Sequence, residues 1–591
     1  MKRIIIYIII IHRLSHPPNP INNTEVCMKN SLFKKALSVF LCLLMLAGTA
    51  QLVFTAFADD GKVLFTVGTD IHIDNTQTKI EEYYPENELY FQASGSGNIY
   101  DQAAELTKSF LYKSVDEGAE FILIAGDLTR SGNAAQHTFV ASLLSDFEEE
   151  TGVQVYVIPG NHDYYNSTRE EFRNCYSALG YDTALAEDEK TASYTADVGG
   201  NYRLIAVDSN DPGEDGDGID DALLGWIETQ VKKAREDGRV IIYMMHHSLL
   251  EHLYLGHLLM KDFIVRDSEA LAEKFSEWGI KYVFSGHEHG NDISSFTGKN
   301  GEVVYDVLTT SLSSYPLEYR SVTMSPEGAD IKMRKIDECN VDALVDGYTD
   351  AQKALLESDY EEFAYGLFRY SVERKILRLI APEYIKGVLN VTDGPLATTV
   401  ELLFTAISEA LEMPLYDSGE GVSIEKLASS KGVRIPASDY GSLIELASAM
   451  VAMHYYGDEN MPSGENPECE ILVKGLNTGL QYVLTRTGRS GLNLLLDVIG
   501  TQVNTEELSP LFTAVALGRE DSYKIAGRVL YPLLDKFAVD SGLPDRDVFL
   551  PADTAEAAEG DNAPVSLIGR IIEFFKKIFI RVSALFGFAV Q

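Results

Sequence analysis

Val63-Leu64-Phe65-Thr66-Val67-Gly68-Thr69-Asp70-Ile71-His72 opens as a short apolar run and ends on two side chains that can bind a metal. A run of this length rich in Val and Phe reads as a buried strand. Polar groups just past its end sit where open α/β sheets carry their ligands. The same arrangement recurs four times downstream. Phe121 to Ala125 precedes Gly126-Asp127, and Val153 to Ile158 precedes Gly160-Asn161-His162-Asp163. Val240 to Met245 precedes His246-His247, and Tyr282 to Phe284 precedes Gly286-His287-Glu288-His289. Tyr202 to Val207 adds a further strand, and helical stretches lie between the runs, which predicts an α/β domain with covered sheets. Val303 to Val307 and Ile331 to Ile336 follow without intervening helices and read as closing strands of a second sheet.

Oxygen donors from Asp and Asn mixed with imidazoles suit Zn, Mn or Fe, and the lack of thiolates excludes a structural zinc finger. Alternate residues of an extended strand share a face, so Asp70 with His72, and His287 with His289, are each expected to aim into one site. Gly-Asp alone is usually a turn and two adjacent histidines are usually chance; the order of the blocks after successive strands carries the argument.

Over residues 61 to 337 these blocks resemble the calcineurin-like metallophosphoesterase superfamily. The resemblance implies a two-sheet sandwich flanked by helices and two metal ions drawn from Fe, Mn and Zn. One would be held by Asp70, His72, Asp127 and His289, the other by Asp127, Asn161, His246 and His287, with Asp127 bridging. His162 would be the catalytic imidazole that protonates the leaving group, and Asp163 its orienting partner. His246 is preferred to His247 by similarity to a block whose ligand stands two residues before a Pro, although Ser248 occupies that place here. Ala206-Val207-Asp208-Ser209, Leu224-Gly225-Trp226 and Ala125-Gly126-Asp127-Leu128-Thr129 are similar to the branch that contains cyclic-nucleotide phosphodiesterases. The implied reaction is hydrolysis of a small phosphate ester through in-line attack by hydroxide. Diesters come ahead of monoesters, because no basic cluster beyond Arg130 accompanies the motifs. A surface-binding module with a structural metal site and a nuclease are the rival readings. One departure from the family is the stretch of 54 residues between His72 and Asp127, containing Ser94-Gly95-Ser96-Gly97, which could wall the pocket.

With 89 acidic against 49 basic residues and a net charge of -40, the 591-residue chain repels polyphosphate, which argues against a nucleic acid polymer as partner. Met28, a basic stretch (Lys29, Lys34, Lys35), an apolar run from Ala36 to about Val53 and Ala56-Phe57-Ala58 follow the plan of a secretory signal peptide over 28–58. Residues 1–27 are read as an upstream extension, and the protein as secreted or cell-surface associated. Domain boundaries are placed at 59–339 for the metallophosphoesterase-like domain and 340–550 for an all-α helical domain. Helices are expected at Phe363 to Ile380, Leu396 to Leu411, Leu443 to Met453, Ile471 to Leu484 and Tyr523 to Ala538. His454 is read there as a satisfied core or boundary histidine. A linker over 551–564 leads to a basic amphipathic helix over 565–591, suited either to an anionic membrane surface or to docking on its own protein.

Overall fold

Along the chain the strands are β1 (Val63–Gly68), β2 (Phe121–Ile124), β3 (Gln154–Val157), β4 (Ala186–Glu187), β5 (Tyr194–Asp197), β6 (Tyr202–Val207), β7 (Val240–Met245), β8 (Tyr282–Ser285), β9 (Asp292–Thr297), β10 (Val303–Leu308), β11 (Glu318–Ser325), β12 (Gly328–Lys335) and β13 (Val548–Pro551). They build one sheet of order β13-β12-β11-β1-β2-β3 and another of order β4-β5-β6-β7-β8-β10-β9. This computed structural model describes residues 61–76, 97–210, 218–253, 263–500 and 543–552 apart from isolated positions, with a few residues between 523 and 535. The expected signal peptide, the extension before it, nearly all of the linker, the amphipathic helix at 565–591 and most of the helix expected at 523–538 lie outside the described residues. Among the described residues no helix is long and apolar enough to cross a membrane.

The strands that precede the motifs are parallel within their sheets: β1, β2 and β3 in one, β6, β7 and β8 in the other. Parallel strands need crossovers, and helices Ala103–Glu117 and Ala134–Thr151 provide them in the first sheet. The second of these starts on Asn133, whose side chain accepts from Gln136 N. With helices and strands stacked on both faces, the motif-bearing strands are mostly apolar, β2 (Phe121-Ile122-Leu123-Ile124) entirely so. The two sheets face each other across a shared core: Phe65 meets Phe284 edge-on at 5.5 Å and stacks on Phe121 at 4.8 Å. Burying such a ring stabilises the fold by about 1.5–3 kcal/mol. The outer face of the second sheet is covered by Leu223, Ile227 and Val231 of helix Asp221–Glu236 and by Phe275 of helix Ser268–Trp278.

Three expectations are corrected. Ile331 lies on β12 and therefore in the first sheet, whereas Val303 to Val307 lies on β10 in the second, so the two runs close different sheets. The helical region is not a separate body: Phe363, Leu367 and Phe368 of helix Tyr360–Leu379 are buried in the core that the sheets share. Its apolar stripe faces the sheets because positions four apart on a helix share a face. The boundary at 550 also cuts through β13, which pairs antiparallel with β12 from Gly328↔Pro551 to Ile331↔Val548. Tyr282 Oη donates to Leu550 O at 3.1 Å, and Pro551 ends an edge strand, where a missing N–H is tolerated.

Candidate metal centre

Each of the five motifs lies just past a strand end, and the loops are laced together by their backbones. Asp70 N donates to Gly126 O (3.1 Å) and His72 N to Asp127 O (2.9 Å). Five of the motif residues hold left-handed backbones: Asp70 (φ 52), His72 (φ 44), Asp127 (φ 50), His287 (φ 72) and His289 (φ 61). Non-glycine residues pay roughly 1–3 kcal/mol each for such conformations, and they concentrate where a fold must present side chains for chemistry. Asp70 and His72 do converge, with His72 Nε2 3.7 Å from Asp70 Oδ1. They do so through two left-handed turns beyond β1 rather than by strand alternation. His287 and His289 diverge instead, the first grouping with His246 and His247, the second with Asp70 and His72.

Two clusters result, joined at Asp127. In the first, His72 Nε2 and His289 Nε2 face each other at 3.2 Å, and His289 Nε2 is 3.2 Å from Asp70 Oδ1. In the second, His246 Nε2 is 3.3 Å from Asn161 Oδ1. Asp127 turns Oδ2 toward His72 Nε2 and Oδ1 toward His246 Nε2, each at 3.6 Å. His246 Nδ1 donates to Ala125 O (2.8 Å), so its Nε2 carries the lone pair, which is how a ligating histidine is usually fixed.

A test of whether metal suits these residues is what they lack without it. Asp70 Oδ1 is buried with no hydrogen bond aligned on it, a costly state for a carboxylate unless a cation is its partner. Burial alone would raise the Asp70 pKa, but the imidazoles of His289, His246 and His72 hold it well below the usual carboxylate range. Burial, then His162 and His289, push His72 well below its ordinary value; burial, then His247 and His246, do the same to His287. Neutral imidazoles and ionised carboxylates at neutral pH are the forms that bind Zn, Mn or Fe.

Small residues make the approach possible. A Cβ on Gly160 would collide with Asp127 Oδ1, and one on Gly286 with Thr69 Oγ1 and Asp70 Oδ2. Thr69, unremarked in the sequence, donates to Asp70 Oδ2 at 2.7 Å, and His287 N donates to the same oxygen at 2.9 Å. Ser311 Oγ holds Asp70 O (2.7 Å) and Thr310 Oγ1 holds His289 O (2.6 Å). A Ser/Thr-rich run after β10, Thr309 to Ser314, was the available signal.

His162 lies at the junction, its Nε2 4.0 Å from Asp127 Oδ2. Its Nδ1 donates to Arg130 O at 2.7 Å, which fixes the ring, and burial is the main cause pushing its pKa down to about 4. Asp163 does not orient this ring. Its carboxylate accepts from Leu128 N (3.0 Å), Thr129 N (2.9 Å), Thr129 Oγ1 (2.8 Å) and Gly160 N (2.9 Å). The short 3-10 turn His162–Tyr164 sends successive side chains in different directions, so Asp163 goes inward and staples two motif loops. His247 is buried beside His246 and groups with it and with His287, its Nδ1 2.8 Å from Ser209 Oγ. Tyr165, also unremarked in the sequence, packs its ring 4.6 Å from that of His162.

Residues 63–291 match the family model described as Calcineurin-like phosphoesterase. A probable glycerophosphodiester phosphodiesterase from Arcobacter nitrofigilis is 25% identical over 161 residues, covering 26% of this chain and 54% of that protein. A probable cyclic nucleotide phosphodiesterase from Synechococcus sp. is 21% identical over 202 residues, 33% of this chain and 70% of its own. The chain thus spans about half the length of the first of these relatives. Among solved structures, a dimetal phosphatase from Danio rerio aligns over 46% of this chain and 96% of its own, at 13% identity and a TM-score of 0.34.

Proposed function

We propose that residues 63–291, a calcineurin-like phosphoesterase domain, hydrolyse small phosphodiesters at the centre joined by Asp127. The observation that carries this reading is the pair of donor clusters sharing one buried carboxylate, with the His162 imidazole directed at their junction. Asp70, His72, Asp127 and His289 would hold one cation, and Asp127, Asn161, His246 and His287 the other. Two divalent cations, when bound, polarise the phosphoryl oxygens and make water a better nucleophile at neutral pH.

The protein's own part is to bind, orient and move a proton. His162 Nε2 is a lone pair while Nδ1 donates to Arg130 O. An anionic phosphoryl group brought against Nε2 favours uptake of a proton from solvent by the ring, which then donates it to the departing alkoxide. Arg130, the cation nearest in sequence to the second motif, is already paired with Asp74 Oδ2 at 3.1 Å and lies over the Tyr100 ring at 4.1 Å. A guanidinium so engaged is poorly placed to neutralise a monoester dianion, which supports a diester monoanion as substrate. The two curated relatives named above are consistent with glycerophosphodiesters or cyclic nucleotides as the class. With residues 28–58 read as a secretory signal, the substrate would be met outside the cytoplasm.

The test is turnover of bis(p-nitrophenyl) phosphate and p-nitrophenyl phosphate by the chain from residue 59, with Mn²⁺ and with chelator. The diester is expected to be preferred and the activity to vanish on chelation. His162→Ala is expected to lose about 10²–10⁴-fold on alkoxide leaving groups and far less on phenolates. Chelator-resistant turnover would remove the metal reading, and equal losses on both leaving groups would remove His162 from the proton transfer.

A further inference from the structure

Asn161 differs from every other donor of the centre. The rest are carboxylates or imidazoles; Asn161 offers a neutral amide oxygen and is partly exposed at the start of its turn. A neutral carbonyl in reach of solvent competes with water for a cation, so its value as a ligand depends on how firmly it is held.

Tyr165 is placed to hold it. Asn161 Nδ2 donates to Tyr165 Oη at 3.1 Å, while Asn161 Oδ1 lies 3.3 Å from His246 Nε2. Only the Nδ2 end is hydrogen-bonded; Oδ1 and the His246 lone pair face each other as two donors to one cation would, and a rotamer change that swings Oδ1 out of the centre breaks the phenol contact. The backbone sets this up: Tyr165 caps the 3-10 turn that begins at His162, its N–H donating to His162 O at 3.4 Å. The same ring packs against the His162 imidazole at 4.6 Å, tilted by 39°. Tyr165 is nonetheless 48% exposed, so no demand of the core accounts for an aromatic there.

We infer that Tyr165 is a positioning residue for the centre: its hydroxyl fixes Asn161 as a metal ligand, and its ring steadies His162. This rests on Asn161 being a ligand, as read above. The hydroxyl and the ring have separable consequences, because the hydroxyl accepts from Asn161 and the ring packs on His162.

The experiment is titration of the metal-free chain from residue 59 with Mn²⁺ by calorimetry. Tyr165→Phe should raise the Kd of one of two Mn²⁺ sites by about 10-fold, the lower end of what loss of a ligand's supporting hydrogen bond costs. The other site and the urea midpoint of the metal-free protein should stay as in wild type. Tyr165→Ala should show the same shift and, in addition, a larger kcat loss with alkoxide than with phenolate leaving groups. Asn161→Ala separates the two layers. If it binds two Mn²⁺ as wild type does, the ligand reading falls and the inference with it. If it weakens one site while Tyr165→Phe weakens neither, Asn161 is a ligand and the inference about Tyr165 alone is overturned.

Discussion

Replacing Asp163 distinguishes a staple from a catalytic partner, and the structure supplies the expected size. The carboxylate accepts three backbone N–H groups and one hydroxyl, all buried. In Asp163→Asn the amide can keep Leu128 N and Gly160 N on its oxygen and turn its NH₂ toward Thr129. The Thr129 hydroxyl can accept, but Thr129 N cannot, so one buried donor is stranded. An unsatisfied buried N–H costs about 1–3 kcal/mol, so Asp163→Asn should lose roughly that. Asp163→Ala strands three backbone donors and should lose on the order of 3 kcal/mol or more. The assay is the urea midpoint of the metal-free protein, read at unchanged denaturant slope. Turnover of diesters with phenolate and alkoxide leaving groups is measured beside it, well below the unfolding range. A staple predicts the stability order wild type, Asn, Ala, and rate losses that do not discriminate between leaving groups. Unchanged stability with a loss confined to alkoxides would refute the argument and return Asp163 to the orienting role.

Two further outcomes are expected. His252 is buried with Nδ1 2.5 Å from Asp292 Oδ2 and Nε2 3.1 Å from Asp306 Oδ2, a geometry that needs both ring protons. Burial opposes the charge, but Asp306 and then Asp292 outweigh it and raise the pKa well above the ordinary value. The raised folded-state pKa means that this stabilisation is complete below about pH 6.5 and fades as pH rises through the folded value. The urea midpoint should therefore fall on the alkaline side, and His252→Gln should flatten that part of the profile; a variant with the wild-type slope would exclude His252 as its source. Leu550→Ala should cost about 2–5 kcal/mol, since Leu550 is fully buried on β13. An unchanged midpoint would refute the packing of β13 against the shared core.

The long parallel strands were legible because burial on both faces makes them mostly apolar runs: β7 coincides with Val240 to Met245, and β6 with Tyr202 to Val207, interrupted only by Arg203, which pairs with Asp197 and Asp237. The strands that escaped have other constraints. β11 carries Glu318 and Arg320 in its first three positions, which reads as a polar segment until the partners are visible. Arg320 is buried, its guanidinium donating to Leu308 O (2.6 Å) and Asp545 O (2.7 Å), and Arg546 pairs with Glu318 at 2.6 Å. Those partners lie more than two hundred residues away in sequence, except Leu308, so no local pattern could announce them. The motif residues were legible as types at strand ends. Which of them meet followed from the family resemblance and not from strand alternation, because left-handed backbones at Asp70, His72, His287 and His289 redirect the side chains from where alternation would send them.

The same long-range logic ties the helical region to the centre. Helix Leu443–Tyr456 ends against the loop that carries His287 and His289: Asn291 N donates to Tyr455 O at 3.2 Å, and Asn291 Oδ1 accepts from Thr310 N at 3.2 Å. Thr310 in turn holds His289 O. His454, next to Tyr455, is satisfied by Glu459 at 2.6 Å, as its place on an apolar helix suggested. A loop gripped from one side by the sheet and from the other by a helix has few alternative arrangements, which limits the backbone relaxation that its left-handed residues would otherwise undergo. Among the described residues the helical region therefore contributes no donor to the two clusters, yet it closes the far side of the loop on which two of their histidines depend.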